Sequence, residues 1–490
     1  ANLVVRGRAR ALIPYLADAV PGWFQMVVKV SDANGRELAY ADDFRFDPDP
    51  VMCFRIPEDG DYTLEIRDSI FRGREDFVYR VHVGNLPFVT SVFPLGGTAG
   101  QPLAAATRGW NLPFANIALD TSPDGPTIRS MAVHANTPGA NEIRYAVDTL
   151  PAVTESEPDN DNAKAQSCTL PGVIHGRIDT PGDVDVIRID ARKGQEFVAE
   201  VLARRLRSPL DAVIHARDSA GKVLAWNDDT MEKDGTLHLG DGLLTHHADP
   251  VIRVLPLADG PVFLRVADTQ AHGGPEFAYR LHVRPLQPDF DLRVTPSVLN
   301  VPAGGHVALE VQLLRLDGFD GELTLALEDA PPGFVLAGAR IPAGANKIRL
   351  TLGVPPGCQP GVLTPRLVGR ANAGGRVIKH TAVAADDAMQ AFLWRHLVPA
   401  ESWLVAVAAG RGRRTPLELA ASLPVRIPAG GSAELVAKVP KWILNRELEA
   451  RLNDAPPGIS LPSFRTVPGG IAIVLKADAS LKPGTETNLI

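Results

Sequence analysis

The chain is predicted to be all-β, built as a multidomain array of β-sandwiches. Three observations carry that prediction. Its 490 residues are too many for one hydrophobic core, so several domains are expected. Short Val/Leu/Ile-rich segments bounded by Gly, Pro, Asp and Asn recur along it, whereas long runs with a 3.6-residue period are nearly absent. The third observation is an internal repeat, which sets the architecture more firmly than any single segment. The 44 glycines and 42 prolines fit the many turns such an array needs.

The repeat is read directly. VSDANGRELAYADD at 30–43 returns as ARDSAGKVLAWNDD at 216–229, aligning Asp32 with Asp218, Gly35 with Gly221, Leu38 with Leu224, and Asp42-Asp43 with Asp228-Asp229. DPVMCFRIPEDGDYTLEIRDSIFRGREDFVYRVHV at 49–83 returns without a gap as DPVIRVLPLADGPVFLRVADTQAHGGPEFAYRLHV at 249–283. Phe77, Tyr79, Arg80 and His82 thus face Phe277, Tyr279, Arg280 and His282, and the second copy carries extra residues within 230–248. Asp32-x-x-Gly35 and Asp218-x-x-Gly221 predict hairpin turns, because Asp accepts backbone N–H bonds and Gly takes positive φ. DGDYTLEIRD, FVYRVHV and FAYRLHV alternate apolar with polar, as half-buried strands do.

Four segments of the second copy then carry a resemblance: the acidic opening SEPDNDNAKAQ at 156–166, GDVDVIRIDARKGQEFVAEV at 182–201, SPLDAVIHARDSAGKVLAWNDD at 208–229 and GPEFAYRLHV at 274–283. Residues 157–283 resemble the bacterial pre-peptidase C-terminal domain, a jelly-roll β-sandwich found on secreted proteins. The first copy matches only from the second strand pair onward, LVVRGRARAL at 3–12 aligning with FVAEVLARRL at 197–206. Nothing in it corresponds to the acidic opening or to GDVDVIRI. The expectation is that the chain begins inside a domain or that this copy has lost a strand.

Between the copies, PFVTSVFPLGGTAGQPLAAATRGWNLP at 87–113 resembles immunoglobulin-like domains of the plexin and transcription-factor type, through Pro94, Gly96-Gly97, Gly100 and Gly109-Trp110-Asn111. A second repeat follows: VPAGGHVALEV at 301–311 with IPAGGSAELVA at 427–437, and LEDAPPGFVL at 327–336 with LNDAPPGISL at 452–461. Strands separated by Pro-Gly turns predict two immunoglobulin-like sandwiches there. DDAMQAFLWRHLV at 386–398 is the best helix candidate, with Met389, Phe392, Leu393 and Leu397 on one face. The expected division is 1–85, an N-terminally incomplete pre-peptidase C-terminal-like sandwich; 86–153, immunoglobulin-like; 154–284, the full pre-peptidase C-terminal-like sandwich; 285–385, immunoglobulin-like; 386–400, a connector with a short helix; and 401–490, immunoglobulin-like and C-terminally incomplete. The chain stops soon after Lys482-Pro483-Gly484, where a last strand should begin, so a fragment of a longer protein is expected.

Composition excludes several functions. The net charge is -7 and no lysine-rich block or basic aromatic stripe occurs, which argues against nucleic-acid binding. No apolar stretch is long enough to span a membrane. Cys53, Cys168 and Cys358 are too few and too scattered for a disulfide framework or a cysteine zinc site, and read as small apolar residues. No Gly-x-Ser-x-Gly, zincin helix or Cys/His arrangement is present, and Gly431-Ser432 lacks the surrounding elbow. The run Gly96 to Gly100 lacks the Lys-Ser/Thr of a phosphate loop. His246-His247, with His238 and Asp249 near in sequence, reads as a polar loop, and His82 and His282 as strand packing.

Calcium is the chemical candidate. Glu155, Glu157, Asp159, Asn160 and Asp161 form a dense oxygen-ligand segment, and Ca²⁺ takes six to eight oxygens. The collagen-binding domains of clostridial collagenases, which the second copy resembles, bind calcium through such a segment. That resemblance implies ligands among Glu157, Asp159, Asn160 and Asp161, completed by Asp228 or Asp229. The alternative is a solvated acidic linker with turn-forming aspartates. Among Trp23, Trp110, Trp226, Trp394, Trp403 and Trp442, Trp226 beside its hairpin turn is the candidate platform for a glycan or protein ligand. The expected function is a non-catalytic binding or spacer array of an exported bacterial protein, secreted, periplasmic or on the cell surface, in contact with protein or polysaccharide. The alternative is the accessory region of a secreted peptidase or other hydrolase whose catalytic domain lies outside this chain.

Overall fold

A computed structural model describes residues 2–12, 24–123, 127–133, 139–230, 248–389, 395–400, 402–410, 418–421, 423–444, 447–453 and 455–490. Strands make up almost all of its regular structure. The chain divides into two compact units, one over Ala1–Leu286 and one over Gln287–Ala388 with Arg395–Ile490.

In the first unit the first repeat copy comprises β1 (Asn2–Arg8), β2 (Met26–Ser31), β3 (Glu37–Ala41), β4 (Val51–Arg55), β5 (Thr63–Asp68) and β6 (Arg80–Gly84). They form two three-stranded sheets, ordered β4-β1-β6 and β3-β2-β5. The module between the copies comprises β7 (Phe88–Phe93), β8 (Gly96–Thr98), β9 (Leu103–Trp110), β10 (Asn116–Leu119), β11 (Ile128–Ala132) and β12 (Glu142–Asp148), in sheets β10-β9-β7 and β11-β12-β8. Gly109 is required there, because a Cβ would lie 2.0 Å from the Phe88 carbonyl oxygen. That close approach lets Trp110 stack on Phe88 with ring centroids 5.3 Å apart.

The second copy comprises β13 (Ala152–Thr154), β14 (Gln166–Ser167), β15 (Gly172–Arg177), β16 (Val184–Ala191), β17 (Phe197–Leu202), β18 (Ala212–Asp218), β19 (Val223–Asn227), β20 (Val251–Val254), β21 (Gly260–Asp268) and β22 (Ala278–Pro285). Its sheets run β13-β15-β22-β17-β20 and β14-β16-β21-β18-β19. The six strands of the first copy therefore correspond to β17 through β22, with the same neighbours. Even the irregularities repeat: the register shifts between Val30 and Ser31, and between Ala216 and Arg217. Among the described residues the first copy has no counterpart of β13 to β16.

Alternation explains the second copy's core. On β16, Asp185, Ile187, Ile189 and Ala191 share one face and are all buried. Ile174, Ile178, Ile187 and Ile189 join Phe197, Leu264, Val266 and Leu281 in one apolar cluster. Each such isoleucine contributes roughly 1.5–3 kcal/mol relative to exposure. Leu202, Leu206 and Ala278 pack instead with Val92, Ile143 and Tyr145 of the middle module, so the two share apolar contacts.

In the second unit, Phe290, Leu292, Val311, Leu350 and Trp403 belong to a single core. The last segment reproduces part of its layout. Strand His306–Leu316 pairs with Asp289–Thr295 and Lys347–Gly353, and Ser432–Lys438 pairs likewise with Glu418–Leu419 and Gly470–Ala477. The helix expected over 386–398 is not observed. Val383–Met389 is a strand that pairs in parallel with Asp289–Thr295, and Arg395–Pro399 is another; residues 390–394 lie outside the described ones. The periodicity of a short apolar run does not decide between helix and strand, and pairing decides here. The three cysteines are free, with Cys168 buried. Among the described residues no helix is long and apolar enough to cross a membrane.

Candidate metal centre

The acidic opening of the second copy folds back onto the start of β16. Glu155, Asp159 and Asp185 each present a carboxylate oxygen within 4.8 Å of the other two, and Glu157, Asp183 and Asp185 form a second such group. Three local features assemble them. Asp159 accepts no side-chain hydrogen bond, yet its carbonyl receives the Val186 N–H at 3.1 Å, which ties the acidic segment to β16. Asp183 precedes β16 and accepts from Asp179 N at 2.9 Å and Val184 N at 3.0 Å, while Asn160 Nδ2 donates to its Oδ1. Tyr279 on β22 donates to Asp185 Oδ2 at 2.7 Å and approaches Glu155 Oε2 at 3.2 Å. Gly176 makes that last contact available, since a Cβ there would lie 2.1 Å from the Tyr279 ring.

The electrostatics are unusual. Asp159 is 1% exposed, and both of its carboxylate oxygens, with Oδ1 of Asp185, are buried without a hydrogen-bond partner. Burial, with Glu157 and Asp183 nearby, pushes the Asp159 carboxyl up to about 7. Burial also raises Glu155 and Asp185; the Glu155 charge adds to the rise at Asp185, whereas a hydrogen bond with Asp185 partly offsets the rise at Glu155. Orphaned buried carboxylates are expensive, and a divalent cation with oxygen preference satisfies them at once. The donor set is all oxygen, which fits Ca²⁺ rather than a thiolate- or imidazole-seeking metal.

Of the residues expected as ligands, Glu157, Asp159 and Asn160 therefore come together, joined by Glu155. Asp161, Asp228 and Asp229 do not. Asp161 caps its own turn, accepting from Ala163 N at 2.9 Å, and pairs with Lys164. Asp228 and Asp229 follow β19, at the opposite edge of the sheet from β14. Asp185 faces Val266, Val266 faces Ile214, and Ile214 faces Asn227, so three inter-strand spacings of about 4.8 Å separate them. Asp183 and Asp185 were not expected. Their signal was an acidic residue in step with Ile187 and Ile189, at a core position of an alternating strand.

The other repeated aspartates position backbone. Asp249 accepts from the N–H groups of Ala203, Arg204 and Arg205 at 2.7–3.1 Å, and Asp49 does the same for Ala9, Arg10 and Ala11 at 2.7–2.9 Å. Asp218 accepts from Ala220 and Lys222, as Asp32 does from Asn34 and Arg36. His282 and the fully buried Arg280 meet Asp148 of the middle module at 3.2 and 2.6 Å. Burial opposes ionisation of Asp148, but the His282 hydrogen bond and the Arg280 charge outweigh it and hold its carboxyl below the usual range. His175 beside them is pushed down to about 3, first by burial and then by Arg280. His82 packs against Gly139. Trp226 is 60% exposed and stacks on His215 at 5.8 Å. His238, His246, His247, Trp23 and Trp394 lie outside the described residues.

No family model matches the chain, and no curated protein does. Similar solved structures include the pre-peptidase C-terminal domain of a collagenase from Bacillus anthracis, 14% identical, covering 26% of this chain and 99% of that one with a TM-score of 0.17. Domains 5–6 of the S-layer protein SbsC are 14% identical and cover 40% of this chain and 88% of that one, with a TM-score of 0.19. Domains 1–6 of the same S-layer protein are 10% identical over 94% of this chain and 62% of that one, with a TM-score of 0.17.

Proposed function

We propose that this chain is a non-catalytic spacer and binding array of an exported bacterial protein, whose second repeat copy is locked by calcium. The observation that carries the reading is the buried, unpartnered carboxylate of Asp159 beside Asp185 and Glu155. Glu155, Glu157, Asp159, Asp183 and Asp185 would hold the ion, with Asn160 orienting Asp183. The ion would join the acidic segment to β16 and so stiffen the connection from the middle module into the second copy. Extracellular calcium modules work at roughly 10⁻⁴–10⁻³ M, which fits a secreted, periplasmic or cell-surface setting. Trp226 and its exposed surroundings are the proposed contact for protein or polysaccharide.

The test is thermal unfolding of the full chain in EDTA and in millimolar Ca²⁺, with hydrogen exchange reporting on 155–191. A saturating ion bound only by the folded state stabilises by roughly 3 kcal/mol at a hundredfold excess over Kd. Slower exchange at 155–191 and a higher melting midpoint, both removed by Asp159→Ala, are expected. Identical behaviour in EDTA and calcium would reduce the acidic segment to a linker and sink the calcium lock.

A further inference from the structure

The two repeat copies also touch each other, through a loop in which they differ. The first copy joins Asp43 to Asp49 through residues 44–48, where the second carries its extra residues. Phe44 N donates to the Asp47 carbonyl at 2.8 Å and Asp47 N to the Phe44 carbonyl at 3.1 Å, so Arg45 and Phe46 form the tip of a tight turn. Arg45 takes a φ of 63° there. Glycine adopts that angle freely, whereas a long side chain persists in it only where its surroundings over-determine it.

Those surroundings come from the other two modules of the first unit. Arg45 Nη2 meets Glu276 Oε2 of the second copy at 2.6 Å, and its Nη1 donates to the Arg207 carbonyl at 3.0 Å. Thr90 of the middle module donates to the other Glu276 oxygen, so one carboxylate joins all three modules. Phe44 stands edge-on to Phe88 and Trp110, with ring centroids 5.4 and 6.0 Å away, and the Arg204 guanidinium of the second copy lies over the Phe46 ring. The Arg45–Glu276 pair is part-buried and charge-assisted, so salt screens it less than a surface pair. Two further joints are separate from it: Arg6 donates to the Ala140 carbonyl at 2.8 Å, and Arg280 meets Asp148 at 2.6 Å. Modules linked in a row move at each connection. Three modules joined pairwise close a triangle, and opening any one joint requires breaking another.

We propose that the turn from Phe44 to Asp47 is a strap that closes the two copies around the middle module and makes the first unit one rigid body. This goes beyond the calcium lock, since none of these contacts uses the acidic segment or β16. Arginine is needed at position 45 for its reach. Glycine there would relieve the backbone but remove the donors to Glu276 and to the Arg207 carbonyl. The local turn thus favours a smaller residue and the joint favours arginine, so one substitution separates the two roles.

The experiment is double electron–electron resonance on the full chain, with spin labels carried by non-canonical side chains in place of Arg36 and Lys222, at exposed turns of the two copies. The parent is expected to give one narrow distance distribution, equally in EDTA and in millimolar Ca²⁺. Arg45→Gly should at least double its width while the amides of 26–31 exchange no faster, because the turn itself is relieved. Glu276→Gln, which leaves the sequence of the first copy untouched, should broaden the distribution as well. A broad distribution in the parent, or an unchanged width in both variants, would overturn the strap. So would a distribution that is narrow only with calcium, which would assign the rigidity to the ion. A chain that is narrow in both conditions but does not bind calcium would sink the calcium lock and support the strap.

Discussion

Tyr79 and Tyr279 occupy one place in the repeat, yet the first is half exposed and the second is sealed under β15 and bonded to Asp185. The copies share six strands, a bulge and the aspartates that cap their turns. What separates them, among the described residues, is four additional strands. Those strands bring Ile174, Ile187 and Ile189, which close the core, and with β16 come Asp185 and, just before it, Asp183. The candidate metal centre is thus a property of the completed sandwich and not of the repeat. Asp42-Asp43 and Asp228-Asp229, the acidic pair both copies keep, belong to the turn after β3 and β19 instead.

The largest effect that would break this comparison is at β16. Ile187→Ala is expected to destabilise the second copy by about 2–5 kcal/mol, since it empties a closed core. Leu64→Ala in the first copy should cost clearly less, because its site is half-buried; chemical denaturation followed by hydrogen exchange compares the two. Equal losses would mean that the first core is as closed as the second.

Next comes pH. Asp159, Glu155 and Asp185 have folded-state values raised above their unfolded ones, so their contribution is fully present below about pH 4 and is lost as pH rises, through about 7 for Asp159 and further up for Glu155 and Asp185. In EDTA the second copy should therefore lose stability between pH 5 and 8, and calcium should remove that loss. The first copy, without these groups, should show no calcium dependence. Asp185→Asn should flatten the EDTA profile and abolish the calcium response; a slope that persists would place its cause elsewhere.

Asp49→Ala and Asp249→Ala each leave three backbone N–H groups without their acceptor, costing about 1–3 kcal/mol, and Asp249→Ala should cost more, because Asp249 also accepts from Arg205 Nε at 2.7 Å where the first copy has Ala11. Equal losses, read from urea melts, would show that the Arg205 pair contributes nothing. The smallest effect is expected at Trp226→Ala, within about 0.5 kcal/mol, matching Tyr40→Ala at the same repeat position. Glycan-array or partner binding lost in Trp226→Ala but not in Tyr40→Ala would distinguish a ligand platform from a surface aromatic.

The sequence by itself determined the strands and turns, because alternation, Asp capping and positive-φ glycine are local. β16 could be read from VDVIRIDA, and the Asp218-to-Gly221 hairpin from four residues. It also marked 155–161 as acidic enough for an ion. Which aspartates join that segment was decided by tertiary structure alone. Asp185 reads as an interruption of an apolar face until β22 places Tyr279 over it. Asp228 reads as a partner until strand order puts β19 three spacings from β16. The short apolar run at 386–398 matched a helix until Val383–Met389 paired with Asp289–Thr295. Side-chain periodicity is a property of neighbours along the chain, whereas sheet order comes from long-range pairing that no local pattern encodes.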